Sequence, residues 1–141
     1  MTVNTLVVDA SALGDYLLGT AQGRFVTEAL VRHEADLHVP ELCDVEVAAI
    51  LRKRLLAGEL TLDRAADAVI DLVDLPLTRH GHLASVGRIL QLRDNFSSYD
   101  ATYVALAETL DARLVTTDAG LARAVRSHLD LDVIDASLPL T

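Results

Sequence analysis

The stretch that decides the fold is SYDATYVALAETLDARLVTTD, residues 98–118. Its first part, residues 99–111, has the apolar content of a helix, and residues 113–117 have the branched side chains of a short strand. Asp100 opens the helix and Asp118 follows the strand. A helix and a strand joined by a short turn run antiparallel in an α/β layer, so we expect both acids at the same edge of a sheet.

The beginning of the chain has the same layout. Leu6-Val7-Val8 is an apolar run that ends at Asp9, and a helical pattern follows over residues 12–18. Asp9 is therefore expected at the carboxyl end of a strand, and these ends form the ligand-binding edge of an open parallel sheet. We expect the carboxylates of Asp9, Asp100 and Asp118 to meet at that edge.

Strands and helices alternate along the rest of the chain. Apolar periodicity predicts helices over residues 22–34, 40–57, 62–73, 82–93 and 119–128, and short extended segments over 37–39, 75–78 and 133–134. Pro40 suits the first turn of its helix, whereas Pro76 weakens its segment as a central strand. This alternation predicts a parallel sheet covered by helices, in a single domain over residues 1–141.

Composition limits the class of protein. Hydrophobic residues are 51% and charged residues 23% of the sequence, which excludes a disordered chain, and no apolar run approaches the roughly 20 residues of a membrane helix. The N-terminus has no secretory pattern and the single cysteine cannot form an internal disulfide, so we expect a soluble, cytoplasmic protein. The net charge of −9 argues against a surface that binds nucleic acid everywhere, but a divalent cation can reverse the sign locally.

A fourth acid joins the predicted cluster. Glu46 lies about 9 Å along the helix that begins near Pro40, and that helix leaves the sheet edge where Asp9 is expected. Its neighbours Val45 and Val47 are apolar, so the carboxylate interrupts a stretch suited to packing. Taken singly, Glu46 suits a solvated helix face and each aspartate suits a turn or cap. Their predicted convergence favours a functional site.

The chemistry follows from like charges at short range. Neighbouring carboxylates raise one another's pKa and oppose folding unless a positive charge lies among them. No lysine or arginine directly flanks Asp9, Asp100 or Asp118 in the sequence. A hard divalent cation answers the problem, since Mg²⁺ and Mn²⁺ bind oxygen ligands. Such an ion activates water and neutralises charge on a phosphoryl group, so the pattern predicts phosphodiester hydrolysis.

Other polar residues have two interpretations each. Ser11 and Thr117 suit helix caps, although either hydroxyl can bind a metal-bound water. The run Arg52-Lys53-Arg54 suits a solvated helix face or a phosphate contact. His80 and His82 have the spacing of a zinc pair, but no cysteine or further histidine lies nearby in the sequence to complete the site.

Four stretches occur in an order that resembles a known family. They are Leu6-Val7-Val8-Asp9-Ala10-Ser11, Glu46 in the helix after Pro40, residues 98–107, and residues 114–118. Together they are similar to the PIN domain, in particular to VapC-type toxins of toxin–antitoxin pairs. The resemblance implies a three-layer α/β/α fold with a mostly parallel sheet of four to five strands. It also implies a Mg²⁺- or Mn²⁺-dependent endoribonuclease that forms a homodimer and is inhibited by a small VapB-type antitoxin.

The resemblance also implies roles for individual residues. Asp9, Glu46, Asp100 and Asp118 match the family's acidic catalytic site, in which Asp9, Asp100 and Asp118 are the expected metal ligands. One departure follows Glu46, where the family often has an asparagine and this chain has Ala48-Ala49-Ile50. This chain has no side-chain amide at these positions to make the contacts of that asparagine.

Two other classes of protein share parts of the pattern. A receiver-type signalling domain also uses acids at strand ends, but it needs a lysine beyond a late strand. The only lysine here, Lys53, lies in an early helix. A non-catalytic module of the same fold, whose acids bind a structural metal or a basic partner segment, is the second interpretation of the acidic cluster.

Overall fold

The computed structural model describes residues 4–33 and 36–140. Within these ranges the strands are β1 (Thr5–Val8), β2 (Asp36–Pro40), β3 (Leu77–His80), β4 (Arg113–Thr116) and β5 (Val133–Asp135). They form a sheet in the order β3-β2-β1-β4-β5, and every neighbouring pair is parallel. All the carboxyl ends of these strands therefore lie at one edge of the sheet.

Helices connect these strands and cover the sheet. In the described part of the chain they are α1 (Ala10–Leu18), α2 (Ala21–Arg32), α3 (Leu42–Leu56), α4 (Leu62–Asp74), α5 (Val86–Gln91), α6 (Ser98–Leu110) and α7 (Ala119–His128), with a 3₁₀ turn at Leu83–Ser85. Helix α1 packs on α2, α3 and α4, whereas α6 packs on α5 and on β1, β2 and β4. This is the predicted three-layer α/β/α fold, with five parallel strands.

The central strands and α6 form the middle of the hydrophobic core. Residues 6–8 of β1 and Leu114 and Val115 of β4 are at most 1% exposed. Continuous burial of this kind is expected of parallel strands that are covered by helices on both faces. Helix α6 is also buried along residues 101–107, so it has apolar contacts on most of its circumference. The acids at this edge are therefore attached to the most deeply buried elements of the fold.

Polar side chains cap the starts of several helices, among them α1, α6 and α7. Asp9 caps α1 by accepting a hydrogen bond from the backbone N–H of Ala12 at 2.8 Å, and Asp118 caps α7 by accepting one from Leu121 at 3.1 Å. Ser97 caps α6 in the same way. Such caps are each worth about 1 kcal/mol. Asp9 and Asp118 therefore have a structural role in addition to any role at the site.

The chain places β2 and β3 on one side of β1 and then crosses to the other side for β4 and β5, so the order of the strands reverses between β1 and β4. β1 pairs with β2 on one side and with β4 on the other. The backbone N–H of Asp9 continues the ladder by donating to the carbonyl oxygen of Val115 at 3.0 Å. Open α/β sheets bind ligands in the crevice at such a point. Asp9, which directly follows β1, and Asp118, two residues after the end of β4, border this crevice.

Two prolines mark strand boundaries that differ from the predicted ones. Pro40 was expected to start a helix, but it ends β2, where it lies opposite His80. The N–H of Glu41 donates to the carbonyl oxygen of His80 at 2.9 Å, so pairing with β3 extends β2 through the proline. β3 begins at Leu77, one residue after Pro76, which keeps the proline out of the ladder that it would interrupt.

Other predicted helices also differ in extent. The helix expected over residues 82–93 is a 3₁₀ turn followed by the short α5. Its apolar residues Leu83 and Leu90 are 86% and 59% exposed, whereas Ile89 and Leu92 pack against the core, so only part of the predicted apolar face is buried. Glu34, the expected end of the second helix, lies outside the described residues.

Within residues 4–33 and 36–140, no helix has the length and apolar character that crossing a membrane requires.

Candidate active site

Four carboxylates border one open pocket at the carboxyl edge of the sheet. Asp9 follows β1, Glu46 lies in α3, Asp100 lies in the first turn of α6, and Asp118 caps α7. All four line a pocket of about 330 Å³, called here the acid pocket. The structure therefore brings together every acid that the sequence placed in the candidate site.

Asp9 is the buried member of this cluster, with 5% of its surface exposed. Its Oδ1 accepts hydrogen bonds from the Ser11 hydroxyl and the Ala12 N–H, both at 2.8 Å, and its Oδ2 accepts one from the Thr116 hydroxyl. Burial raises the pKa of Asp9 to about 6, the hydrogen bonds oppose that rise, and the charge of Asp100 adds to it. The Ser11 hydroxyl therefore orients the Asp9 carboxylate.

Asp100 and its neighbours perturb one another electrostatically. Burial raises the pKa of Asp100, and the charges of Asp118 and Glu46 raise it further, while a hydrogen bond from Ser97 lowers it. Like charges couple in this way only when they lie close together. The cluster is therefore a region of negative potential that a cation would stabilise.

Glu46 is anchored by a buried tyrosine. The Tyr103 hydroxyl donates to Oε1 of Glu46 at 2.7 Å, and Tyr103 is only 2% exposed. Burial, together with the neighbouring Cys43 and Glu46, raises the pKa of Tyr103 above its ordinary value, so the phenol stays protonated and keeps donating. This bond contradicts the interpretation of Glu46 as part of a freely solvated helix face.

Thr116 connects the two strand ends that carry acids. Its buried hydroxyl donates to Asp9 and accepts a hydrogen bond from the backbone N–H of Asp118 at 2.9 Å. The neighbouring Thr117 points elsewhere, because its hydroxyl donates to Oδ2 of Asp15 at 2.6 Å. Thr116 is thus part of the candidate site, and Thr117 has a role in holding α1.

The sequence analysis missed Tyr103 and Thr116, and it considered Lys53 for a phosphate contact without placing it beside the acids. Tyr103 had the pattern of an apolar helix position, and Thr116 that of an ordinary strand residue. Lys53 lines the acid pocket and is the one basic side chain to do so among the described residues. The signals available in the sequence were the polar atoms of Tyr103 and Thr116 inside otherwise apolar runs, and the position of Lys53 two helical turns after Glu46.

The donor atoms suit a hard divalent cation. Four carboxylates offer oxygen ligands, the chemistry that Mg²⁺ and Mn²⁺ prefer, and the pKa values of Asp9 and Asp100 are raised first by burial and then by the charges of neighbouring acids. In residues 4–33 and 36–140, however, no three His, Cys, Asp or Glu side chains are close enough together to hold an ion directly. The acids therefore fit an ion that keeps several waters, as Mg²⁺ usually does, or one that draws the side chains inward on binding.

A comparison of the sequence with family models identifies its family. The chain matches the model of the PIN domain over residues 6–136. The chain belongs to the PIN-domain family. This confirms the resemblance drawn from the acids and their order in the sequence.

Curated relatives of this PIN-domain protein carry the name VapC. It is 39% identical to Ribonuclease VapC3 of Mycobacterium tuberculosis, over 84% of this chain and 86% of that protein. It is 36% identical to Ribonuclease VapC9 of the same species, over 92% of this chain and 98% of that protein. The predicted relationship to VapC-type proteins is therefore confirmed.

Solved structures show the same fold. PAE2754 from Pyrobaculum aerophilum superposes with a TM-score of 0.65 at 25% identity, over 96% of this chain and 85% of that one. Mycobacterium tuberculosis VapC20, a Sarcin-Ricin loop cleaving toxin, superposes with a TM-score of 0.65 at 14% identity, over 84% of this chain and 94% of that one. At 14% identity, the similarity to VapC20 supports the fold alone.

The raised pKa of Asp9 predicts how stability depends on pH in the metal-free PIN-domain protein. The folded protein binds this proton more tightly than the unfolded chain, so the contribution is complete below about pH 4 and is lost as pH rises through about 6. We expect the free energy of unfolding of the wild type to fall by about 2–3 kcal/mol relative to Asp9→Asn between pH 4 and 7. Denaturant unfolding with a chelator present measures this difference, and parallel pH profiles for the two proteins contradict it.

The bond between Tyr103 and Glu46 predicts a loss of stability in Tyr103→Phe. This change leaves a partly buried carboxylate oxygen without its donor, which should lower the free energy of unfolding by about 1–2 kcal/mol. Tyr99→Phe is the matched control, because Tyr99 lies in the same helix with 59% of its surface exposed. Denaturant unfolding compares the two variants, and equal stabilities would mean that the bond contributes nothing.

Proposed function

We propose that this PIN-domain protein is a Mg²⁺-dependent endoribonuclease toxin of a toxin–antitoxin pair. The observation that carries the proposal is the meeting of Asp9, Glu46, Asp100 and Asp118 around one pocket. The names of the relatives, Ribonuclease VapC3 and Ribonuclease VapC9, support RNA as the substrate. The reaction is hydrolysis of a phosphodiester bond within the RNA strand.

In this proposal Asp9, Asp100 and Asp118 hold the ion. Mg²⁺ is the expected ion, and Mn²⁺ suits the same oxygen ligands. When bound, the ion lowers the pKa of a water and neutralises charge on the phosphoryl group. Hydrogen bonds from Ser11 and Thr116 keep the Asp9 carboxylate in one orientation. Asp9 would therefore be a fixed ligand for the ion.

Glu46 has a different role in the proposal. Tyr103 occupies Oε1 of Glu46, which leaves Oε2 to accept a hydrogen bond from the attacking water. The tyrosine also fixes the direction of the carboxylate, and a fixed acceptor orients a nucleophile at low entropic cost. Glu46 therefore positions the water, and Tyr103 acts through Glu46 as a positioning residue.

The family resemblance and the charge of the chain suggest partners. We propose a VapB-type antitoxin whose basic segment approaches the acid pocket, because a net charge of −9 and four clustered acids attract such a segment over distance. We also propose a homodimer that acts in the cytoplasm, in keeping with the resemblance to VapC-type toxins. The continuous sheet and core support a single PIN-like domain over residues 1–141.

Asp100→Asn tests the catalytic proposal without disturbing the start of α6. The cap of this helix is the hydrogen bond from the backbone N–H of Asp100 to Ser97, and an asparagine amide oxygen can still accept from the Ser97 hydroxyl, so the variant should fold normally. We expect cleavage of total cellular RNA in Mg²⁺ to fall by about 100-fold or more. Asp94→Asn, at an exposed acid outside the acid pocket, is the control and should cleave normally. Full activity in Asp100→Asn excludes the proposed site.

Mapping of the cut ends in the same reactions identifies the RNA. If the wild type cleaves no RNA and expression without its partner does not arrest growth, the non-catalytic module becomes the better interpretation of the fold.

Metal binding has a readout that does not depend on activity. Mg²⁺ should raise the melting temperature of the wild type by several degrees at pH 7, because the ion relieves repulsion among the acids. The rise should be largely lost in Asp100→Asn and retained in Asp94→Asn. Chelation should abolish cleavage, and Mg²⁺ or Mn²⁺ should restore it. An equal rise in all three proteins indicates that the ion binds elsewhere.

A further inference from the structure

The Arg52-Lys53-Arg54 run of α3 is divided between two surfaces. Lys53 lines the acid pocket, and both Lys53 and Arg54 line a second pocket of about 440 Å³ beside it. Arg52 instead borders an apolar groove between α3 and α4. The three consecutive cations are therefore not one uniform solvated face.

The second pocket continues the acid pocket along α3. The two pockets share Ser11, Ile50 and Lys53 as lining residues, so they adjoin one another beside α3. We call the second pocket, which Lys53 and Arg54 line, the basic channel. A strand whose reacting phosphate lies in the acid pocket would place a neighbouring phosphate in this channel.

Charge in the basic channel is available for a ligand. Its one partly buried acid, Asp15, keeps its negative charge but directs both oxygens to hydroxyls and not to the cations, because its Oδ1 accepts from the Thr20 hydroxyl at 2.8 Å and its Oδ2 accepts from Thr117 at 2.6 Å. Glu59 also lines the channel but is exposed. The ion pairs found in the described residues do not include Lys53 or Arg54.

Other arginines of the chain are used differently. Arg79 makes two hydrogen bonds to Asp44, at 2.8 and 3.0 Å, and Arg88 makes two to Glu108, both at 2.9 Å. These forks have their carboxylate partners within the protein, whereas the two cations of the basic channel lie beside the site of the proposed reaction. The arrangement resembles a binding surface more than a stabilising ion-pair network.

We propose that Lys53 and Arg54 bind phosphates of the RNA strand next to the one that is cleaved. This inference rests on the proposed function. A chain with a net charge of −9 repels RNA over most of its surface, so affinity has to come from local positive charge. Lys53 contributes a point charge at the mouth of the acid pocket, and the Arg54 guanidinium contributes a fork that suits phosphate oxygens.

Charge also separates this ligand from the proposed antitoxin. A basic antitoxin segment is attracted by the four acids but repelled by the two cations of the basic channel. RNA has the opposite preference, since its phosphates are repelled by the acids and attracted by the channel. Loss of the cations should therefore weaken RNA binding and leave binding of an Arg-rich peptide unchanged or tighter.

Binding and cleavage of single-stranded RNA test the inference in the full chain. Lys53→Gln and Arg54→Gln should each raise the Kd for a fluorescent RNA oligonucleotide by about tenfold, measured by anisotropy in the Asp100→Asn background to prevent cleavage. Each should also reduce the slope of log K against log salt concentration by about 0.7, the value for one phosphate contact on a single strand. In the active protein the same changes should raise KM more than they lower kcat.

Arg52→Gln is the matched control, because it removes the same charge from the adjacent position on the other surface. It should bind RNA within about twofold of its parent protein. Lys53→Arg, which keeps the charge, should restore most of the binding lost in Lys53→Gln. An equal effect of all three neutral substitutions, or none from Lys53→Gln and Arg54→Gln, overturns the inference.

The outcomes separate this inference from the proposed function. If the wild type cleaves RNA but the basic-channel variants bind and cleave as Arg52→Gln does, the nuclease proposal stands and the inference is wrong. If RNA binding depends on Lys53 and Arg54 but the wild type cleaves nothing, the inference stands and the nuclease proposal is wrong.

Discussion

A buried carboxylate at the junction of β1 and β4 is the constraint on which the arrangement of the site depends. Asp9 loses most of its hydration and is tolerated because Ser11, Ala12 and Thr116 all donate hydrogen bonds to it. Thr116 also accepts from the N–H of Asp118. One hydrogen-bond network therefore joins the start of α1 to the end of β4, and any displacement of either strand would disturb the acids.

The ionised acids of this site are electrostatically unfavourable. The carboxylates of Asp9 and Asp100 have raised pKa values because burial and neighbouring charges oppose their ionisation. A fold selected for stability alone would replace such groups with apolar ones, since a buried charge without a counterion is unfavourable. The acids are explained if a cation binds among them, because binding then offsets this unfavourable free energy at the proposed site of the reaction. Repulsion and desolvation of the acids would then both destabilise the metal-free protein and give rise to its affinity for the metal ion.

Topology explains why much of this could be predicted from the sequence. Asp9 and Asp118 each follow an apolar run that forms a central strand, and parallel strands bring their carboxyl ends to one edge. The helical rise placed Glu46 within reach of that edge. Predictions that depended on local propensity did less well. The sequence predicts a helix that begins at Pro40, because proline is favoured in the first helical turn. In the structure, pairing with β3 extends β2 through Pro40.

Residues whose role depends on side-chain direction could not be predicted in this way. Thr116 and Thr117 are adjacent and chemically equivalent, and only the path of the backbone as it leaves β4 directs the first toward Asp9 and the second toward Asp15. Tyr103 meets Glu46 across 57 positions of the chain, a contact that no local pattern encodes. The cations of α3 pose the same problem, because successive residues of a helix differ in direction by about 100°. That rotation directs Lys53 toward the acids and Arg52 away from them, so the local sign of charge beside the acid pocket is set by how α3 packs and not by its composition.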